Sequence, residues 1–180
     1  RMEGYATNVT TDIALEWLDS KRDKDKPFCL LLHHKAPHRT WMPDTCDLGK
    51  FENVNFPLPD NFYDDYEGRT AALEQRMSIF KDMDVVYDLK MADKENEIHT
   101  NLQGLERAGR NMYNPPVMGD SIPNRMNAEQ KAAWDRYYEP IIADFKSKNL
   151  EGKELAEWKY QRYMKDYLSV ITSVDRNIGR

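Results

Sequence analysis

FCLLLHHKAPHRTWMP, residues 28–43, opens with five apolar residues in a row and then turns polar. Phe28-Cys29-Leu30-Leu31-Leu32 has the length of a strand and no polar interruption, the pattern of a strand buried on both faces. Upstream, Thr10 or Thr11 can cap a helix running through Asp19, with Ile13 and Trp17, then Ala14 and Leu18, at i,i+4 spacing. Between helix and strand, KRDKDK (Lys21 to Lys26) followed by Pro27 reads as a solvated connector. A helix, a short polar turn and a buried strand predict an α/β fold with a parallel sheet. In such sheets ligands bind beyond the carboxyl ends of strands, so residues 33–41 stand where a site is expected.

That loop, HHKAPHRTW, holds three of the chain's four histidines with Lys35 and Arg39, in a chain whose net charge is -5. The charge balance speaks against a general nucleic-acid binder, which carries a basic excess. A local basic site for an anion, with a histidine to move a proton, is the chemical reading; a solvated basic loop is the plain one. The 180 residues suffice for one domain with a real core. Charged content of 32% and a mean hydropathy of -0.84 predict long amphipathic helices. No run of 18 apolar residues suggests a membrane span. Cys29 and Cys46 form neither a disulfide framework nor a zinc site by number and spacing.

Thr45 to Arg69, with Pro57, Pro59 and Gly68, reads as an irregular surface loop, and Arg69 to Met83 as a helix. Residues 84–126 are weakly periodic. Asn127 with Gln130 forms a capping-box pattern opening a helix to about Lys148, which Pro140 should kink or split. After Gly152, Tyr160, Tyr163, Met164, Tyr167, Leu168, Ile171, Val174 and Ile178 repeat at helical spacing, an aromatic stripe expected to pack in the core. Asp64-Asp65 and the Asp82, Asp84, Asp88 series read as solvated acids, since the series lacks the glycine and glutamate of a calcium loop.

The segment FCLLLHHKAPHRTWMP resembles its counterpart in type I, formylglycine-dependent sulfatases. GYATNVTTDIALEWLDSKRDKDKPF is similar to the family helix that precedes that strand, and YMKDYLSVITSVDRNIGR to a later helix carrying V-D-x-x-I-G-R. A-P-H-x-x-W points to carbohydrate sulfatases of the N-acetylglucosamine-6-sulfatase type. The resemblance implies an α/β chain, a fragment of an alkaline-phosphatase-like fold, helix-rich with a buried parallel strand. It implies one catalytic domain throughout: helix, strand and site loop over 1–43, an irregular insertion with one helix over 44–126, covering helices over 127–180.

On this resemblance His38 matches the histidine that protonates the leaving oxygen. A sugar alkoxide leaves poorly, and an imidazole, with an ordinary pKa of about 6.5, can donate a proton near neutrality. Lys35 and Arg39 can make charge-assisted bonds to sulfate or to a neighbouring carboxylate, and Trp41 can stack on a sugar; a rim role suits these three as well. Of His33 and His34, one is expected to point inward as a satisfied core histidine. The family's formylglycine arises from C/S-x-P-S-R, which neither cysteine fits. Ser121 to Arg125 fits superficially but stands after the histidine loop, the wrong order. The family's calcium ligands are also missing, so formylglycine and calcium are expected from parts of the parent enzyme outside this chain, which alone should be inactive. The implied partners are sulfated carbohydrate and the remaining sulfatase chain, with no nucleic acid and no membrane. The implied location is extracytoplasmic. A non-catalytic carbohydrate- or anion-binding module, an interaction protein built on the C-terminal helices, or a related phosphodiesterase are the alternatives.

Overall fold

Among the described residues the chain forms five α-helices: α1 (Ala6–Glu16), α2 (Thr70–Leu73), α3 (Ile79–Asp82), α4 (Ala128–Lys148) and α5 (Gly152–Ile178). The computed structural model describes residues 2–75, 78–86, 88–91 and 125–180, and among these no strand occurs. No described helix is long and apolar enough to cross a membrane. The Ser121 to Arg125 motif lies, Arg125 apart, outside the described residues.

α5 is the spine against which α1, α3 and a 3-10 turn, Thr45–Asp47, all pack. α1 begins before the predicted caps, at an extended Tyr5, and runs on into a wide π turn, Trp17–Lys21. Its buried residues are Thr7, Thr11 and Ala14, spaced by four and three, so the face toward α5 is small and partly polar. Thr11 Oγ1 returns its proton to the Thr7 carbonyl at 3.0 Å, which lets a hydroxyl be buried without cost to the packing.

The helix expected over Arg69 to Met83 is two short ones instead. Ser78 caps α3, its hydroxyl accepting from Lys81 N while Asp82 Oδ2 accepts from Ser78 N at 2.9 Å. A serine that offers its side chain to the backbone favours a new start over continuation. α4 opens on the predicted capping box: Asn127 Oδ1 accepts from Gln130 N at 2.9 Å and Gln130 Oε1 from Asn127 N at 3.0 Å. Pro140 lies inside α4 without splitting it, and Asn149, at φ 44°, ends it in the left-handed conformation asparagine tolerates.

The hydrophobic core lies between α4, α5 and residues 83–91, built on Val85, Val86, Leu89, Met91 and Tyr138 with Trp134, Phe145 and Trp158 around them. On α5 the fully buried residues include Arg162, Asp166, Ser169, Ser173 and Asn177, a polar stripe beside the aromatic one. Tyr160 is buried as expected, but Tyr163, Met164, Tyr167, Leu168, Ile171 and Val174 are only half-buried and Ile178 is exposed. The reason is the segment after the histidine loop. Read as a surface loop, it straps along α5, with Phe56 N donating to Gln161 Oε1, Gln161 Nε2 to the Phe56 carbonyl, and Tyr160 to the Pro57 carbonyl. The strap covers α5's polar face and pairs it.

The buried parallel strand expected at Phe28 to Leu32 is not formed within the described residues. The segment has no regular secondary structure and is exposed, with Leu31 at 73%. A strand buries its faces only inside a sheet, and no described residues supply a neighbouring strand. Phe28 alone is tethered, edge-on to Trp17 at 5.4 Å and under the Arg22 guanidinium.

Candidate active site

Residues 33–43 follow this segment and are anchored to the rest of the fold from Arg39 onward. Two of the loop's peptide bonds, Ala36–Pro37 and Arg39–Thr40, are cis. His38 N donates to the Lys35 carbonyl at 2.9 Å, closing a turn that leaves Lys35 and His38 both exposed. His38 Nδ1 lies 2.5 Å from the Arg39 carbonyl oxygen. Arg39 reaches away from the loop tip: its Nε and Nη2 bind the two oxygens of Asp88, the second at 2.6 Å. Of the two partners open to Arg39, an anion or a carboxylate, the fold supplies the carboxylate.

Trp41 is half-buried against α5, meeting Tyr163 edge-on at 4.6 Å and Tyr167 at 6.4 Å. The aromatic stripe read as core is thus in part the platform on which the loop sits. Past Trp41, Tyr5 of the α1 cap donates to the Met42 carbonyl at 2.9 Å. Asp44 and Asp47 then lock the loop's exit to α5. Ser173, wholly buried, donates to Asp47 Oδ2 at 2.6 Å and accepts from Asp44 N at 3.0 Å. Arg176 binds both carboxylates, and Asn8 Nδ2 reaches Asp44 while Asn177 reaches Asn8. Burial, the largest influence, pushes the Asp47 carboxyl up, but the bonds from Ser173 and Arg176 and the charge of Arg176 together outweigh it and hold it below the ordinary value.

The sequence reading of the two remaining histidines meets the structure halfway. His33 is exposed; His34 turns inward, but both its ring nitrogens are buried without a hydrogen-bond partner among the described residues. Asp88 is the residue that sequence reasoning missed. It is 1% exposed, not solvated, and accepts from Asp84 N at 2.9 Å besides holding Arg39. Nothing in the spacing joins Arg39 to a residue 49 positions on, although Val85, Val86, Leu89 and Met91 around Asp88 already mark its segment as apolar. Behind it stands Lys159 of α5, also buried: desolvation pulls its ammonium pKa down, opposed by the charges of Asp84, Asp88 and Asp82. Among the described residues, no group of three or more His, Cys, Asp or Glu side chains is gathered to hold a metal ion.

What the loop offers chemically is an exposed imidazole with one nitrogen committed to a carbonyl, an exposed ammonium three positions before it, and an indole ring three positions after it. No family model matches the chain. Over 179 residues, 99% of its length, the chain is 44% identical to the N-acetylglucosamine-6-O-sulfatase of Bacteroides thetaiotaomicron, of which it spans 29%. Its structure is similar, with a TM-score of 0.81 and 44% sequence identity, to that of BT4656 in complex with its substrate D-glucosamine-2-N,6-O-disulfate, covering 99% of this chain and 33% of that one. The resemblance to carbohydrate sulfatases of the N-acetylglucosamine-6-sulfatase type, first carried by three motifs, therefore holds along the whole chain, which is similar to about a third of such a protein.

Proposed function

We propose that this chain is the central part of a sulfatase that hydrolyses the sulfate ester of a sulfated amino sugar, with His38 as the donor of a proton to the departing sugar oxygen. The observation that carries the reading is an exposed histidine on a loop anchored just beyond it by Arg39, Trp41 and Met42, in a chain similar over its whole length to a carbohydrate sulfatase. As the bond between sulfur and sugar oxygen breaks, negative charge grows on that oxygen. An imidazolium beside it gives up its proton, so that the product departs as an alcohol rather than an alkoxide. Lys35 supplies a positive charge for the sulfate, and the exposed part of Trp41, steadied by Tyr163 and Tyr167, a surface for the sugar ring. Arg39 is already engaged by Asp88.

Formylglycine and calcium belong, on this reading, to parts of the enzyme outside the chain, and the three-part division at residues 43 and 126 lies within one catalytic domain. Phe28 to Leu32 then enters the central parallel sheet of an alkaline-phosphatase-like fold, where neighbouring strands cover what is exposed here. The enzyme works outside the cytoplasm. The test is His38→Ala in the full-length protein assayed on a 6-O-sulfated glucosamine. Turnover should fall by about 10²–10⁴-fold with the melting temperature unchanged. Wild-type turnover in that variant would refute the role of His38, and turnover of a phosphate diester with none of a sugar sulfate would move the chain to the phosphodiesterases. The 180 residues alone should not hydrolyse a chromogenic aryl sulfate.

A further inference from the structure

The carbonyl oxygen of Arg39 has only lone pairs to offer, so the His38 nitrogen that faces it must carry a hydrogen. With Nδ1 donating there, the neutral ring keeps its lone pair on Nε2, and the cationic ring has its transferable hydrogen on Nε2. The residue that presents this carbonyl is itself held from its other end. Asp88 grips two nitrogens of the Arg39 guanidinium, a two-pronged contact that fixes direction as well as distance. Asp88 cannot drift in turn: it is bonded by Asp84 N, and its neighbours Val85, Val86, Leu89 and Met91 form the hydrophobic core. A core segment thus presents a fork that grips the loop at the residue next to His38.

We infer that Asp88 is a positioning residue for the proton donor: by holding Arg39 it sets the Arg39 carbonyl against His38 Nδ1 and so assigns Nε2 as the nitrogen that gives the proton. The inference rests on the reading of His38 as that donor, and adds to it a carboxylate that need not touch the substrate. A lysine in place of Arg39 keeps the charge but not the fork, so it should not restore the arrangement.

Two measurements on the full-length protein test this. Histidine labelled with ¹⁵N reports the ring tautomer of neutral His38, which should be the Nδ1–H form. Arg39→Gln, at a side chain 43% exposed, and Asp88→Asn should both shift the ring toward Nε2–H. The second measurement is the ratio of turnover on a sugar sulfate to turnover on an aryl sulfate, whose phenolate leaves with far less need of a proton. A donor displaced by about 1 Å loses up to about a hundredfold, so the ratio should fall by roughly that factor in both variants and remain low in Arg39→Lys. A wild-type tautomer, or equal losses on the two substrates, overturns the inference. If Asp88→Asn does not fold, Arg39→Gln decides alone. His38→Ala separates the two levels: a ratio unchanged there defeats the proton-donor reading itself, whereas a ratio that collapses there but not in Arg39→Gln defeats only the positioning role.

Discussion

Asp166 shows how much of the molecule's polar interior hangs on single side chains. It is 1% exposed and accepts from Lys90 Nζ at 2.8 Å, from Arg162 Nη2 at 2.6 Å and from the Tyr138 hydroxyl at 3.2 Å. Burial pulls the Lys90 ammonium pKa down, opposed by the charge and hydrogen bond of Asp166. Asp166→Ala leaves the buried Lys90 without the carboxylate it bonds and Arg162 with Glu52 alone, and should cost about 3–5 kcal/mol in urea unfolding. Tyr138→Phe removes one hydrogen bond and should cost only about 1 kcal/mol. Acid acts on the same class of groups. Glu52 is pushed up by burial, yet the Tyr137 hydroxyl and Arg162 more than offset this and hold it low; Asp47 is held low likewise. Carboxyls lowered on folding contribute stability that is present above their ordinary values, 4.5 and 3.8, and is lost as the pH falls through the folded ones. The melting midpoint should therefore be level above about pH 5 and drop on acidification below about pH 4. Ser173→Ala, which removes one of the bonds lowering Asp47, should make that drop smaller and complete at a higher pH.

α4 is the element most legible from sequence, because its start is chosen by side chains within four residues of one another. Asn127→Ala removes the cap and should lower stability by about 1 kcal/mol. Pro140 withholds a backbone donor from the interior of the same helix at an exposed position. Pro140→Ala should raise the urea midpoint, by about 1–2 kcal/mol, less than the roughly 3 kcal/mol of intrinsic preference because the unfolded chain also gains freedom. α5 was legible in period but not in orientation. Its aromatic stripe and its polar stripe have the same spacing, and the core was assigned to the more apolar one. Which stripe is fully covered depends on the strap, residues 44–57, whose Asp47 and Glu52 can meet Ser173, Arg176 and Arg162 only once the chain has turned back on itself. α2 and α3 read as one helix in the sequence, since the apolar positions continue across Ser78, whose side chain caps α3.

At the scale of the molecule, the unfinished feature is the apolar run Phe28 to Leu32. Phe28, Leu30, Leu31 and Leu32 are all exposed, in a segment whose backbone pairs with no described strand. Such an edge is a template for association with another chain. The 180 residues alone should self-associate with rising concentration in sedimentation, and Leu31→Lys should reduce this without lowering the melting temperature, since its side chain packs little here. In the full-length protein the same substitution should instead impair folding, because a charge would then enter the sheet. Equal effects in the two settings would count against the sheet as the partner of this segment.

By itself the sequence determined what local chemistry and short-range pattern can determine: the capping box at Asn127, the amphipathic period of α5, the loop at His33 to Trp41 and the family motifs around it. These depend on residues within a few positions, whose relations survive in any fold. Only the tertiary structure decided that Asp88 grips Arg39, that Trp41 rests on Tyr163 and Tyr167, and that a polar seam on α5 is sealed by the strap. The partners in these contacts lie 49 to 126 positions apart, and the free energy that joins them comes from excluding water around groups that no window of sequence places side by side.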